Sequence, residues 1–206
     1  MFRKKILILD YGSGNVKSVF NISKYIEEDV IISNKIEEIK KSTHIILPGV
    51  GSFKTSMEKI NKNLPIDEIL KEIEIKKKPI LGICVGMQVM ASFGYEFEKC
   101  KGLNLIEGDV KKIEAKNFPL PNIGWNEVVI KKDSLLLKNI NEKDSFYFVH
   151  SYEFKPINIS DIISETYYEN IFASSIQREN KFGVQFHPEK SQKSGIKLLK
   201  NFFHIN

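Results

Sequence analysis

Along the first half of the chain, short unbroken apolar runs alternate with stretches whose apolar positions recur every three or four residues. Ile6-Leu7-Ile8-Leu9 is such a run, ending at Asp10-Tyr11-Gly12. Four apolar residues without polar alternation predict a strand covered on both faces, followed by a turn. From Asn15, the positions Val16, Val19, Phe20, Ser23 and Ile26 keep helical spacing, with Ser23 the weak member. Val30 to Ile32 and His44 to Leu47 predict two more strands around a short helix at Ile36 to Lys40, and Pro48-Gly49 breaks the third strand. Helices are expected around Phe53 to Asn61 and Ile66 to Lys77, then a strand over Pro79 to Ile83 and a helix from Met87 to Phe93. This alternation predicts right-handed β-α-β units and a parallel sheet.

The second half has another rhythm. Asp109 to Ile113, Trp125 to Ile130, Phe146 to Val149, Ile162 to Tyr168 and Ile171 to Ile176 read as strands joined by short turns, an antiparallel portion added to the sheet. Phe182 to Phe186 is one more strand, and Ser194 to Phe203 a closing helix with Ile196, Leu199 and Phe203 on one face. No repeat, low-complexity tract or Pro/Gly/Ser linker interrupts the 206 residues. One α/β domain over residues 1–206 is therefore expected, with a mixed, largely parallel central sheet flanked by helices and an antiparallel extension.

Composition narrows the classes. With 42% hydrophobic residues, a chain of this length buries a core without staples. Cys84 and Cys100 are too few for a disulfide framework, and Met1 to Lys5 leads only into the short run at Ile6, so a cytoplasmic protein is expected. No stretch approaches the roughly 18 apolar residues of a membrane span. A net charge of +5 raises nucleic acid as a partner, but of 31 basic residues only Arg3 and Arg178 are arginine. The lysines are interleaved with acids, as in Glu37-Glu38-Ile39-Lys40-Lys41 and Lys71-Glu72-Ile73-Glu74, which is the pattern of solvated helix faces. Neither a nucleic-acid nor a membrane partner is expected. The four histidines and two cysteines lack metal-ligand spacing, and no phosphate-loop or dinucleotide fingerprint occurs, so no metal and no cofactor are expected. His44 and His204 are expected to be structural or exposed, and Cys100 a surface thiol in a loop.

Three segments carry candidate chemistry. Gly82-Ile83-Cys84-Val85-Gly86 lies where a buried strand turns into a helix. A nucleophile there stands on a tight turn, flanking glycines let backbone approach, and a helix N-terminus favours a thiolate. On its own the motif also fits a small buried hydrophobe. Phe186-His187-Pro188-Glu189 follows the last strand; an imidazole can take a thiol proton and a carboxylate can orient that imidazole. A lone histidine at a strand end is more often structural. Leu47-Pro48-Gly49-Val50-Gly51 is a glycine-rich loop whose N–H groups can converge on an oxyanion, or simply a turn that needs glycine. All three lie at the carboxyl ends of expected parallel strands, where open α/β sheets place their sites.

Taken with these segments, the chain resembles the class I (triad) glutamine amidotransferases, and within them the glutaminase subunits of imidazole glycerol phosphate synthase. The resemblance is carried by Gly82 to Gln88 with the distant His187-Pro188-Glu189, and by five further stretches. These are Asp10 to Asn15, Leu47 to Gly51, Gly124-Trp125-Asn126, Tyr147 to Tyr152 and Gln185 to Ser191, in the family's order over nearly the whole chain. Met87 stands where anthranilate-type glutaminases usually carry His. The resemblance implies that Cys84 attacks the amide of L-glutamine, that His187 shuttles protons and that Glu189 holds it. Gly49, Val50 and Gly51 would form or reorganise into the oxyanion hole, Gln88 and Glu96 would bind the amino-acid group, and Ser151 and Tyr152 would line the same pocket. Trp125, Asn126, Tyr147 and Lys190 would face a synthase (cyclase) subunit near an ammonia passage, in a heterodimer serving histidine biosynthesis. Close relatives also supply ammonia for amination or amidination of sugars in surface-glycan clusters. The chain departs from the family's common Pro-His-Met-Gly-Trp-Asn at Asn122 and Ile123, expected near the partner surface, and from its usual Leu at Val85.

Overall fold

The unbroken apolar runs become the middle of an eight-stranded sheet. A computed structural model describes residues 4–27 and 29–205. In chain order the first half runs β1 (Ile6–Leu9), α1 (Val16–Ile26), β2 (Val30–Ser33), α2 (Ile36–Lys41), β3 (His44–Leu47), α3 (Phe53–Asn63), α4 (Ile66–Glu74), β4 (Ile80–Ile83) and α5 (Val85–Gln88). The second half runs β5 (Phe93–Gly94), β6 (Cys100–Lys101), β7 (Gly108–Lys112), β8 (Asn122–Glu127), β9 (Val129–Ile130), β10 (Ser145–His150), β11 (Tyr152–Pro156), β12 (Ile162–Tyr168), β13 (Asn170–Arg178), β14 (Lys181–Val184) and α6 (Gln192–Phe203). The large sheet has the order β2-β1-β3-β4-β14-β13-β12-β9. Its members from β2 to β14 are parallel, and β13, β12 and β9 extend it antiparallel. β1, β3, β4 and β14 are buried at every position, as strands covered on both faces must be.

The antiparallel half is divided among three sheets. β8 and β10 form a separate ribbon, and β11, β7, β5 and β6 form a four-stranded sheet beside the large one. The expected strand over Trp125 to Ile130 is two strands in two sheets, because the chain changes partners from β10 to β12 at Val128. β11 is absent from the sequence expectation; charged residues and a proline interrupt its apolar pattern. The strand expected through Phe186 ends at Val184, and the helix expected through Lys77 ends at Glu74, before the positive φ of Lys77.

The helix expected from Met87 to Phe93 is instead the single turn α5. Met90 and Ala91 donate to the carbonyls of Met87 and Gln88, three-residue bonds that end the helix, and Phe93 begins β5. Met87, Val89, Met90 and Ala91 are all fully buried, so no polar face marks the boundary in sequence. On α6 the covered face is Gly195, Leu198, Leu199, Phe202 and Phe203, while Ile196 is half-buried. Cys100 is half-buried on β6 and not in a loop. His44 is buried, its ring bonded to Thr43 and the Ile205 carbonyl, and His204 is exposed. Among the described residues, no helix is long and apolar enough to cross a membrane.

Candidate active site

The carboxyl ends of β3, β4 and β14 deliver three segments to one place. Cys84 follows β4 directly and has φ 53° and ψ −112°, outside the regions an L-residue ordinarily occupies. The backbone around it is jammed: a Cβ on Gly86 would fall on the Leu47 carbonyl oxygen, and one on Gly49 would fall on the Gly86 amide nitrogen. These two glycines let the loop after β3 pack against the turn after β4. The Tyr11 hydroxyl donates to the Pro48 carbonyl at 2.7 Å and ties the same loop to β1. Since α5 is a single turn, its dipole supplies less to a thiolate than the helix expected from sequence would.

β14 ends at Val184, and Gln185, Phe186 and His187 then continue into the same space. The His187 amide donates to the Tyr147 carbonyl at 2.8 Å, which fixes its backbone against β10. Its Nδ1 lies 2.8 Å from Glu189 Oε1, and both side chains are fully buried. The same carboxylate oxygen accepts from Asn15 Nδ2 at 3.1 Å, while Glu189 Oε2 has no partner. His187 Nε2 is also buried without a close partner, which leaves it as the nitrogen available to the Cys84 sulfur. Burial acts against a charged ring here, but interaction with Cys84 and then with Glu189 outweighs it and raises the pKa of His187 to about 10. The arrangement favours a charged imidazolium beside the sulfur, a form able to protonate a leaving group.

Above these groups lies a cavity of about 270 Å³. Val50, Gly51, Cys84, Val85, Gln88, Glu96, Ser151, Tyr152 and His187 line it, so most residues singled out in the sequence meet here. Gly49 is not among the lining residues and packs against Val85 and Gly86. Glu96 Oε2 accepts from the Phe53 amide at 2.7 Å, at the start of α3, and the Glu96 carbonyl accepts from the Tyr152 hydroxyl at 3.1 Å. Gln88 Nε2 is committed to the Tyr152 carbonyl and to Gln185 Oε1, each at 3.0 Å, so its own carbonyl oxygen stays available as an acceptor.

Trp125, Tyr147 and Lys190 form a second cluster away from the cavity. The two rings face each other across the β8–β10 register, 6.0 Å apart and edge to face, and Lys190 Nζ lies 5.5 Å above the Tyr147 ring. Trp125 is 46% exposed. Asn126 is turned inward and donates to Asn122 Oδ1. Asn122 is not a surface residue as expected: it is buried and bonded to His150 Nε2, whereas Ile123 is 60% exposed. Pro121, Val149 and His150 also line the cavity, and Gln185 and Asn15 touch the Cys84–His187–Glu189 group. Four of these five lie in stretches that carry the resemblance, Pro121 being the exception, but the sequence assigns a role to none of them. The available signal was a polar residue beside an apolar strand end, at Gln185 and at His150.

A sulfur, an imidazole and a carboxylate in series beside a small polar cavity suit acyl transfer from a small amide or ester. Comparison with known proteins gives the same class. The family model described as "Glutamine amidotransferase class-I" matches residues 7–206. The imidazole glycerol phosphate synthase subunit HisH of Pelagibacter ubique is 44% identical, covering 97% of this chain and 99% of that protein. The subunit named HisH 1 of Campylobacter jejuni is 43% identical over 97% of this chain and all of its own length. Among solved structures, PurLQS of Thermotoga maritima superposes with a TM-score of 0.72 at 16% identity, covering 98% of this chain and 98% of its own. A structure described as a glutamine amidotransferase gives 0.75 at 13% identity, covering 97% and 99%. With the fold, the position of the sulfur and a family match over nearly the full length in agreement, the chain belongs to the class I glutamine amidotransferases.

Proposed function

We propose that this chain, as one domain over residues 1–206, is the glutaminase subunit of an imidazole glycerol phosphate synthase. It hydrolyses L-glutamine and hands the ammonia to a synthase subunit in histidine biosynthesis. The observation that carries the chemistry is the series Cys84, His187, Glu189 at one end of a cavity of about 270 Å³. The observation that carries the pathway is the identity of over 40%, nearly end to end, with subunits of that synthase.

The Cys84 thiolate adds to the side-chain amide carbon of glutamine. The oxyanion so formed is placed against backbone N–H groups of the Val50–Gly51 loop and of Val85, the residue after the nucleophile. The His187 imidazolium protonates the leaving nitrogen, the C–N bond breaks, and ammonia departs from a glutamyl thioester. His187, now neutral, takes a proton from water as that water attacks the thioester. Glutamate leaves, and the proton returns the sulfur and ring to their starting state. Glu189 holds the ring through Nδ1 and stabilises its charge. The carbonyl oxygen of Gln88 and the carboxylate of Glu96 suit the substrate ammonium, and the segment at Ser151 and Tyr152 suits its carboxylate.

Trp125, Tyr147 and Lys190 are the proposed contact with the synthase partner, with Asn126 supporting β8 from within. This cluster is joined to the triad directly, because the Tyr147 carbonyl accepts from the His187 amide. The surface-glycan alternative drew on Asn122 and Ile123, and Asn122 has a structural role inside this chain.

The assignment is tested by mixing the chain with the barrel-shaped partner of an imidazole glycerol phosphate synthase and following glutamate release. Strong stimulation by the partner is expected, as is restored growth of a histidine auxotroph that lacks its own glutaminase. A chain that hydrolyses glutamine equally well alone and fails to complement does not have this role.

A further inference from the structure

Gln185 is fully buried, between β14 and His187, and the reaction as written above gives it nothing to do. Its Nε2 lies 3.7 Å from the Cys84 sulfur, a hydrogen-bond distance for so large an acceptor atom. An amide has an accepting end and a donating end, and which end faces the sulfur follows from the neighbours. The Tyr152 carbonyl can only accept, so the Gln88 atom 3.0 Å from it is the amide NH₂. That same nitrogen faces Gln185 at 3.0 Å, so the Gln185 atom there is its carbonyl oxygen. The Gln185 NH₂ is left pointing at the sulfur.

The Tyr152 carbonyl also faces His150 Nδ1 at 2.9 Å, which must then carry the proton, and His150 Nε2 faces the Asn122 amide at 3.3 Å. A neutral ring with one donor and one acceptor satisfies both sides. The polarity is therefore consistent from Asn122 to the nucleophile, and the donor at the sulfur cannot flip without opposing like groups along the way.

We propose that Gln185 is a further catalytic residue: its side-chain N–H donates to the Cys84 sulfur and stabilises the thiolate, both before attack and when the thioester breaks down. This rests on the glutaminase reading for its benefit to turnover but not for its chemistry. The Cys84 S–H reaches a competing acceptor, the Val149 carbonyl, at 4.0 Å, a contact that favours the thiol. Gln185 and His187 together set the balance toward the anion. A neutral donor held in a buried site stabilises a charge without adding one of its own, so it does not compete with the His187 imidazolium.

The experiment uses the full chain in a Cys100→Ser background, with iodoacetamide as the probe of Cys84. Gln185→Met keeps the length and removes the donor. Alkylation at neutral pH is expected to fall about tenfold or more, with its pH profile displaced upward, since a hydrogen bond to a charged group is lost. With the partner present, kcat for glutamate release falls by a similar factor and KM stays within about threefold. Gln185→Glu, which places an acceptor against the sulfur, is expected to lower alkylation further. In the unsubstituted Gln185 protein, the side-chain amide proton resonances of Gln185 should move with the same pH midpoint as thiolate absorbance. Unchanged alkylation in both variants, or Gln185 resonances indifferent to Cys84 ionisation, would overturn the proposal. Absent glutamate release with an intact alkylation difference would instead count against the glutaminase reading and leave the donor standing.

Discussion

At the scale of single residues, the site is a set of buried polar groups whose roles follow from what each one faces. Cys84→Ala removes the proposed attacking atom, and glutamate release with the partner present should drop at least about a thousandfold, measured by coupled assay. Glu189→Gln keeps the shape and removes the charge that holds His187 Nδ1. It should lower kcat by about a hundredfold or more, with glutamine affinity little changed in a binding titration on the Cys84→Ala background. Cys84, His187 and Glu189 stood out in sequence because they follow expected parallel strands, and the resemblance joined them into one chemistry. Gln185 and Asn15 lie in stretches that carry the resemblance, but their roles were not legible, since a buried amide shows its partners only when distant segments meet, across 101 positions for Gln185 and 174 for Asn15.

At the scale of elements, the strands of the parallel half were legible to within a residue or two at each end, because a strand covered on both faces writes itself as an unbroken apolar run. The antiparallel half was not. A strand that changes partners at Val128 and one interrupted by Glu153 and Lys155 leave no clean alternation. The elbow after β4 was legible as a motif, but its helix was read as longer than one turn because the residues just after Gln88 are all buried. The elbow also separates two kinds of glycine. Gly86→Ala drives a methyl into the Leu47 carbonyl and should cost about 3 kcal/mol or more in urea unfolding, or prevent folding altogether. Gly51→Ala meets open space but sits at φ 96°, and should cost only about 1 kcal/mol. If the two variants lose equal stability, close packing of the elbow is not what these glycines serve.

At the scale of the whole molecule, buried histidines set the pH range of the fold. His44 and His150 are both held down to about 4, chiefly by burial, against 6.5 when free. A depressed folded value means that their stabilisation is complete above 6.5 and is lost as the pH falls toward 4, on the order of 3 kcal/mol for each ring. His187 has the opposite sign. Raised to about 10, its contribution is complete below 6.5 and is lost as the pH climbs toward 10. The unfolding free energy should therefore peak near neutrality and fall on both sides, with the acid side steeper. Cys84→Ala should flatten the alkaline limb and leave the acid limb unchanged, as read from urea midpoints across pH. An alkaline limb as steep in that variant as in the unsubstituted protein would mean that the Cys84–His187 interaction does not stabilise the fold.

The order of strands also has a consequence in time. β4, which leads into Cys84, is completed early in synthesis, but its neighbour β14 is the last strand among the described residues and lies between β4 and β13. Until β14 docks, the sulfur lacks His187 and the sheet has a gap at its centre. A growing chain on the ribosome thus carries an exposed cysteine that is chemically idle, and the enzyme arms itself in a late step of its own folding. On the proposed roles of Cys84 and His187, an unfinished molecule releases no ammonia, a safeguard set by strand order before any partner arrives.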